Sequence, residues 1–423
     1  MEKLFEQLNS PDKVQRLAAI RSLAESTPAP VKDHDVNSHI HTTYSFSPYS
    51  PSKAVWCGYT AGLRTVGIMD HDSVSGTREF LEAAKAVGIA PTIGMEIRVS
   101  MENTPLKGRK INNPDQPSIA YCTLHGIPHT QIDTMTEFIR PYTEKRIARD
   151  RKMLEKINGI VAPFGMELDF DRDVIPLSMY RDGGSITERH ILFALSKKIV
   201  QTFGRNAKVV DFLRNDFGVK VSEKLEAYLT DADNPNYEYD LLGALKSDTS
   251  KFYIPATDEC PDVKDVVALA KKTGAILAYA YLGDVTASVT GDKRAQKFED
   301  DYLDELFEVI SGLGFKAVTY MPSRNTKQQL FRVRSLCDRY NFFQISGEDI
   351  NSPRQSFICM AQRDPGFANL YDAAWALIGH ETEATKDLRN AFFSPETEER
   401  FPVMTDRIAH FRDIALKEFD QKD

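Results

Sequence analysis

His39 and His41 stand two residues apart in VNSHIHTT, a short apolar run that reads as a β-strand. Alternate strand residues face the same side, so Asp35, Asn37, His39 and His41 share a face and the two imidazoles can chelate one cation. Further along, apolar runs close on Asp70-His71-Asp72, on Glu96, on His125 and on Asp349. All are metal-ligand types. Imidazole and carboxylate donors suit zinc, manganese or iron. A carboxylate such as Glu96 can bridge two ions that clamp an attacking water and a phosphoryl oxygen. A single histidine is more often an ordinary hydrogen-bonding residue. Here most of the nine histidines fall within residues 34–190, and His39, His41, His71 and His125 close strands. For the His39–His41 pair that favours ligation.

The elements that must position these groups alternate. Residues 1–32 form a helical extension, broken at Ser10-Pro11, where Ser10 could cap the second helix. Over 33–130, strands (VNSHIHTT, TVGIMDHD, APTIGMEIRVS, SIAYCTLHG) alternate with helical segments such as TREFLEAAKAVG. This predicts a parallel sheet or barrel, and in a parallel α/β barrel reactive groups gather at the carboxyl ends of the strands. Residues 131–250 switch to helical spacing with long polar stretches, a helical insertion. Alternation resumes over 251–360, and 361–423 is a charged helical extension.

Composition narrows the class. Across 423 residues, 42% apolar and 27% charged is an ordinary globular balance. Lys and Arg number 53 against 61 Asp and Glu, a net charge of −8. Without a broad basic surface, non-specific nucleic-acid binding is disfavoured. The five cysteines, Cys57, Cys122, Cys260, Cys337 and Cys359, form no C-x-x-C pair and read as free thiols in a reducing compartment. No apolar run is long enough for a membrane span, and the first residues lack a signal segment, so a cytoplasmic protein is expected. The oligomeric state is not legible.

The run SHIHTTYS, followed by GIMDHDSVSG and IGMEI, resembles the first three motifs of the PHP (polymerase and histidinol phosphatase) domain. The resemblance continues through CTLHG, ITERHILFAL, AILAYAY and SGEDIN. It implies an α/β fold, a distorted (β/α)7 barrel with a helical insertion and helical N- and C-terminal extensions, of the stand-alone metal-dependent phosphoesterase type. It also implies that His39, His41, Glu96 and Asp349 ligate a first ion, with Glu96 bridging to a second ion bound by His125. His71 matches a ligand of a third. Three positions depart from the family pattern: Phe46 replaces an aspartate, Tyr279 a histidine and Asn351 a histidine. The third site therefore keeps only His71, and one to two divalent ions per chain (Mn, Fe or Zn) are expected. Tyr279 would act as a phenolate ligand or a hydrogen-bond donor.

Other groups complete the expected site. His71 and His190 are candidate proton donors or substrate contacts. Arg146 and Arg149, three apart on a predicted helix, could grip phosphate through paired N–H donors. A solvated face laced with Glu144 and Asp150 weighs somewhat more. Arg324 follows the strand FKAVTYMPS, and Arg189 precedes His190 where the family's R-P-H reads Glu188-Arg189-His190. With Tyr279 and Asn351 these form the substrate-side set, although packing is the stronger reading for Tyr279. His380-Glu381 resembles the start of H-E-x-x-H, but Ala384 stands where the second histidine belongs.

The expected activity is hydrolysis of a small phosphate ester through a metal-activated water. A degenerate PHP domain serving as a metal-binding or scaffold protein is one alternative. An amidohydrolase-like C–N hydrolase is another, weakened because the second half of the chain offers only His380 and His410.

Overall fold

Seven strands form one sheet in chain order: β1 (Val36–Ile40), β2 (Thr65–His71), β3 (Ala90–Ser100), β4 (Ile119–His125), β5 (Ile276–Ala280), β6 (Ala317–Thr319) and β7 (Phe343–Ile345). They are seen in a computed structural model that describes residues 1–285 and 296–419. β1, β2 and β3 pair in parallel, as do β5, β6 and β7. Helices Pro51–Thr60, Thr77–Val87, Leu303–Leu313 and Lys327–Tyr340 make the crossovers. Local chemistry sets their ends. The Ser50 side chain accepts from Lys53 N ahead of Pro51, and Thr326 and Gln329 form a capping box. Helix Thr77–Val87 stops at Gly88, whose φ of 69° suits a residue without Cβ.

β4 corrects the expectation of a parallel sheet. It runs antiparallel to both β3 and β5. Loop residues 101–118, without a crossover helix, join it to β3, and such a connection returns the chain in the opposite direction. β4 therefore runs back along β3, from Ile119 opposite Ser100 to Leu124 opposite Met95, which is itself level with Asp70.

The sheet curls until its ends meet. Beyond β7, Ile350 bridges in parallel to Ile40: His41 N donates to Ile350 O at 2.9 Å, and Ile350 N donates to His39 O at 3.2 Å. Gly347 permits this approach, because a Cβ there would lie 2.6 Å from His39 Cβ.

Between β4 and β5 the chain is helical, led by Ile132–Val161 and Glu188–Phe203. These helices bury a second apolar core, including Met153, Ile157, Leu192 and Leu195, distinct from the one beneath the sheet. Phe46, from the loop after β1, belongs to that second core. At the N-terminus, helices Glu2–Gln7 and Lys13–Ser26 flank the expected break, but Asp12, not Ser10, caps the second by accepting from Val14 N. Asp12 immediately precedes the first helical residue, where a cap must sit.

The C-terminal extension is more buried than its charge suggested. Helix Ala368–Lys386 packs against helix Met404–Phe419 and the sheet, and Glu381 accepts from Thr92 Oγ1 and Ile93 N. No helix among the described residues is long and apolar enough to cross a membrane.

Candidate metal centre

β1 delivers His39 and leads directly into His41, β2 ends on His71, and β3 carries Glu96 opposite His71 in the parallel register. The Ile40–Ile350 bridge brings Asp349 alongside. His41 Nε2 lies 3.1 Å from Asp349 Oδ1 and 3.5 Å from Glu96 Oε2. Glu96 Oε2 is also 3.1 Å from His71 Nδ1 and 3.7 Å from His39 Nε2. Two sets of three donors are each close enough to hold an ion: His39, His41 and Asp349, and His41, His71 and Glu96.

Whether these residues suit a cation is tested by their unmet valences. His39 Nε2 and His41 Nε2 are buried without hydrogen-bond partners. A buried polar atom left unpaired costs free energy, so two beside two carboxylates mark a place prepared for a cation. Charge agrees. Burial opposes the His39 imidazolium, yet the adjacent Glu96, with Asp349 and Asp70, raises its pKa. Burial would raise the Asp349 pKa, but His41, His39 and Arg189 hold it well below the usual carboxylate range. Asn351 Nδ2 donates to Asp349 Oδ1 at 2.7 Å and fixes its orientation. The donor set fits a divalent ion.

His125 lies in neither set. It shares a strand face with Tyr121 and Thr123, and Thr123 pairs with Glu96, so it projects one level below Glu96. Both its ring nitrogens are buried and unpartnered, and burial, with the charge of nearby His39, lowers its pKa to about 3. His125 closes β4 as expected, and the reversal of that strand sets it below Glu96 on the same face.

Tyr279 is a correction. In β5 it shares a face with Leu277, and both lie in the main core; its hydroxyl donates to Glu299 Oε1 at 3.1 Å. The period of two turns it away from the ligand face, as neither phenolate ligand nor substrate contact.

Arg146 and Arg149 are buried, which corrects the solvated-face reading. Arg146 pairs with Asp72, and Arg149 Nε lies 2.6 Å from Glu259 Oε2. Glu259 also holds Arg98 at 2.5 Å and Arg146 at 3.5 Å. Asp150 stays 3.6 Å from Arg149, and burial pushes its carboxyl up to about 7. Arg98 had a legible signal, two residues beyond Glu96 on the same face; loop-borne Glu259 had none.

Arg189 opens helix Glu188–Phe203, and its charge acts on both His71 and Asp349. Among the described residues it has no ion-pair partner. His190 Nδ1 accepts from Thr187 N at 3.1 Å, its ring meets Phe46 edge-on at 5.0 Å, and burial lowers its pKa to about 3. Arg324 donates from Nε to Leu282 O at 3.2 Å, and the charge of Asp349 acts on it. His380 and Glu381 are structural: His380 Nε2 bonds Gly126 O at 2.9 Å.

The PHP domain family model matches residues 37–315. The chain belongs to the PHP family. Over 64 residues this PHP protein is 38% identical to a 5'-3' exoribonuclease of Haemophilus influenzae, covering 15% of its own chain and 23% of that relative. It thus spans about a quarter of the length of that curated relative. Among solved structures it is similar to an amidohydrolase of Chromobacterium violaceum with bound sulfate and no metal, at TM-score 0.50 and 15% identity over 77% of this chain and 90% of that one. It is also similar to a Bifidobacterium adolescentis protein assigned to the metal-dependent phosphoesterases, at TM-score 0.49 and 19% identity over 78% and 94%. At 15% identity the likeness to the Chromobacterium violaceum protein speaks for the fold alone.

Proposed function

We propose that this PHP protein is a metal-dependent hydrolase that cleaves a small phosphate ester. The observation that carries the reading is the convergence of His39, His41, Glu96 and Asp349, with two imidazole nitrogens buried and unpartnered. A divalent ion held there supplies Lewis acidity and a water acidified towards neutral pH.

The chain's own groups divide the remaining work. Glu96 and Asp349 neutralise the ion, and Asn351 keeps Asp349 turned inward. Arg189, whose charge acts on His71 and Asp349 and which has no ion-pair partner among the described residues, supplies positive charge for a phosphoryl group. His190 cannot serve as a base at Nδ1, which already accepts from Thr187 N; in the neutral ring Nε2 carries the proton and can only donate. Arg146 and Arg149 act through Glu259 and Asp72, building the wall behind the site.

The test is His39→Ala, assayed on a phosphoester panel under manganese, iron and zinc with elemental analysis alongside. The variant should lose metal and turnover together. Wild-type protein that binds metal but cleaves no phosphoester overturns the reading. Wild-type protein carrying no metal favours the scaffold alternative.

A further inference from the structure

The two donor sets share His41, and that residue has one nitrogen to offer. Its Nδ1 faces Ser45 Oγ at 3.4 Å, while Nε2 is the atom near both Asp349 and Glu96. One imidazole nitrogen binds one ion, so the sets cannot each hold their own. His71 is drawn into the same place: its ring lies 4.5 Å from that of His41, and its Nδ1 is 3.1 Å from Glu96 Oε2.

Among the described residues, no donor set beyond His71 is arranged for a separate ion. Asp70 is held by three hydrogen bonds, its Oδ1 accepting from Thr42 N and Ser45 Oγ and its Oδ2 from Thr42 Oγ1, all at 2.6 Å. Asp72 is committed to Arg146. Phe46 packs among His190, Phe193 and Tyr239. Asn351, where the family pattern has a histidine, turns its Nδ2 to Asp349 Oδ1.

We propose that His71 completes the cation site of His39, His41, Glu96 and Asp349, giving three imidazoles and two carboxylates around a single ion, and that no distinct site exists on its far side. Such a donor set suits zinc, manganese or iron and disfavours magnesium and calcium, which take oxygen ligands. The inference rests on the metal-dependent reading above but not on the choice of substrate.

The experiment compares wild type, His71→Ala and His71→Asn as full chains, titrated with Mn²⁺ alone and read by elemental analysis and electron paramagnetic resonance. Circular dichroism reports folding, and His71→Asn is read if His71→Ala fails to fold. The expected result is an unchanged number of ions per chain with affinity weakened by roughly tenfold or more, since even outer-shell changes cost about 10–100-fold. Loss of one whole ion per chain, with the remainder bound at wild-type affinity, overturns the proposal. Unchanged affinity overturns it too. A wild-type chain that binds no Mn²⁺ overturns both this inference and the metal-dependent reading. Metal behaviour as expected without phosphoester turnover supports the pocket and removes only the substrate reading.

Discussion

At the scale of the residue, the centre is organised by who already has a partner. His39 Nε2 and His41 Nε2 have none, whereas Asp70, chemically a good ligand, already accepts three hydrogen bonds from Thr42 and Ser45. Arginines sort in the same way. Arg98, Arg146 and Arg149 are tied to Glu259 and Asp72, whereas the charge of Arg189 acts on Asp349 and His71. Arg189→Gln should therefore reduce kcat/KM for a phosphoester by roughly 10–100-fold, about 1.4–2.7 kcal/mol of transition-state binding, with metal content unchanged. Steady-state kinetics with metal analysis checks this; a variant that keeps wild-type kcat/KM removes Arg189 from the site.

At the scale of the element, the insertion and the barrel are joined by charge as well as by apolar packing. Glu259, 2% exposed, is the hub between β3, through Arg98, and helix Ile132–Val161, through Arg146 and Arg149. Its removal leaves buried guanidiniums uncompensated. Glu259→Ala should destabilise the protein by about 3–5 kcal/mol, the usual cost of breaking a buried pair from one side. Replacing the partners with apolar groups as well should cost less. Denaturant unfolding of the single and combined variants reads the difference. Phe46, on the loop after β1, adds an apolar link to the insertion, packing against His190, Phe193 and Tyr239.

At the scale of the whole molecule, helix Ala368–Lys386 locks the loop after β4 through His380. Phe392 N donates to His380 Nδ1 at 2.9 Å and Nε2 bonds Gly126 O at 2.9 Å, so one neutral tautomer satisfies both. Burial lowers its pKa to about 4 from an ordinary 6.5, opposed only by the Gly126 carbonyl. Between those values the unfolded chain binds the proton and the folded one does not. The contribution to stability is therefore complete above about pH 6.5 and is lost as pH falls towards 4, up to about 3 kcal/mol. Unfolding free energies across that range should show a shallower slope for His380→Asn than for wild type. Equal slopes would discard the assignment.

What could be read from sequence were short-range properties. Period two placed His39 beside His41 on one face, Glu96 stood in an apolar strand, and the alternation of strand and helical patterns marked the crossovers. The departures at 46, 279 and 351 were also visible, but not their meaning. Tyr279 faces the core because of strand parity, and Phe46 serves a core built from residues far along the chain.

By itself, then, the sequence determined the donor chemistry and the elements that carry it, because ligand type and side-chain period are local. Only the tertiary structure decided which donors share one place. Asp349 reaches His41 through the Ile40–Ile350 closure, His125 drops a level because β4 runs backwards, and Arg146 and Arg149 are claimed by a glutamate from a distant loop. The reason is physical: closure of a sheet, strand direction and the pairing of buried charges are satisfied across the whole chain, and no local window contains both partners.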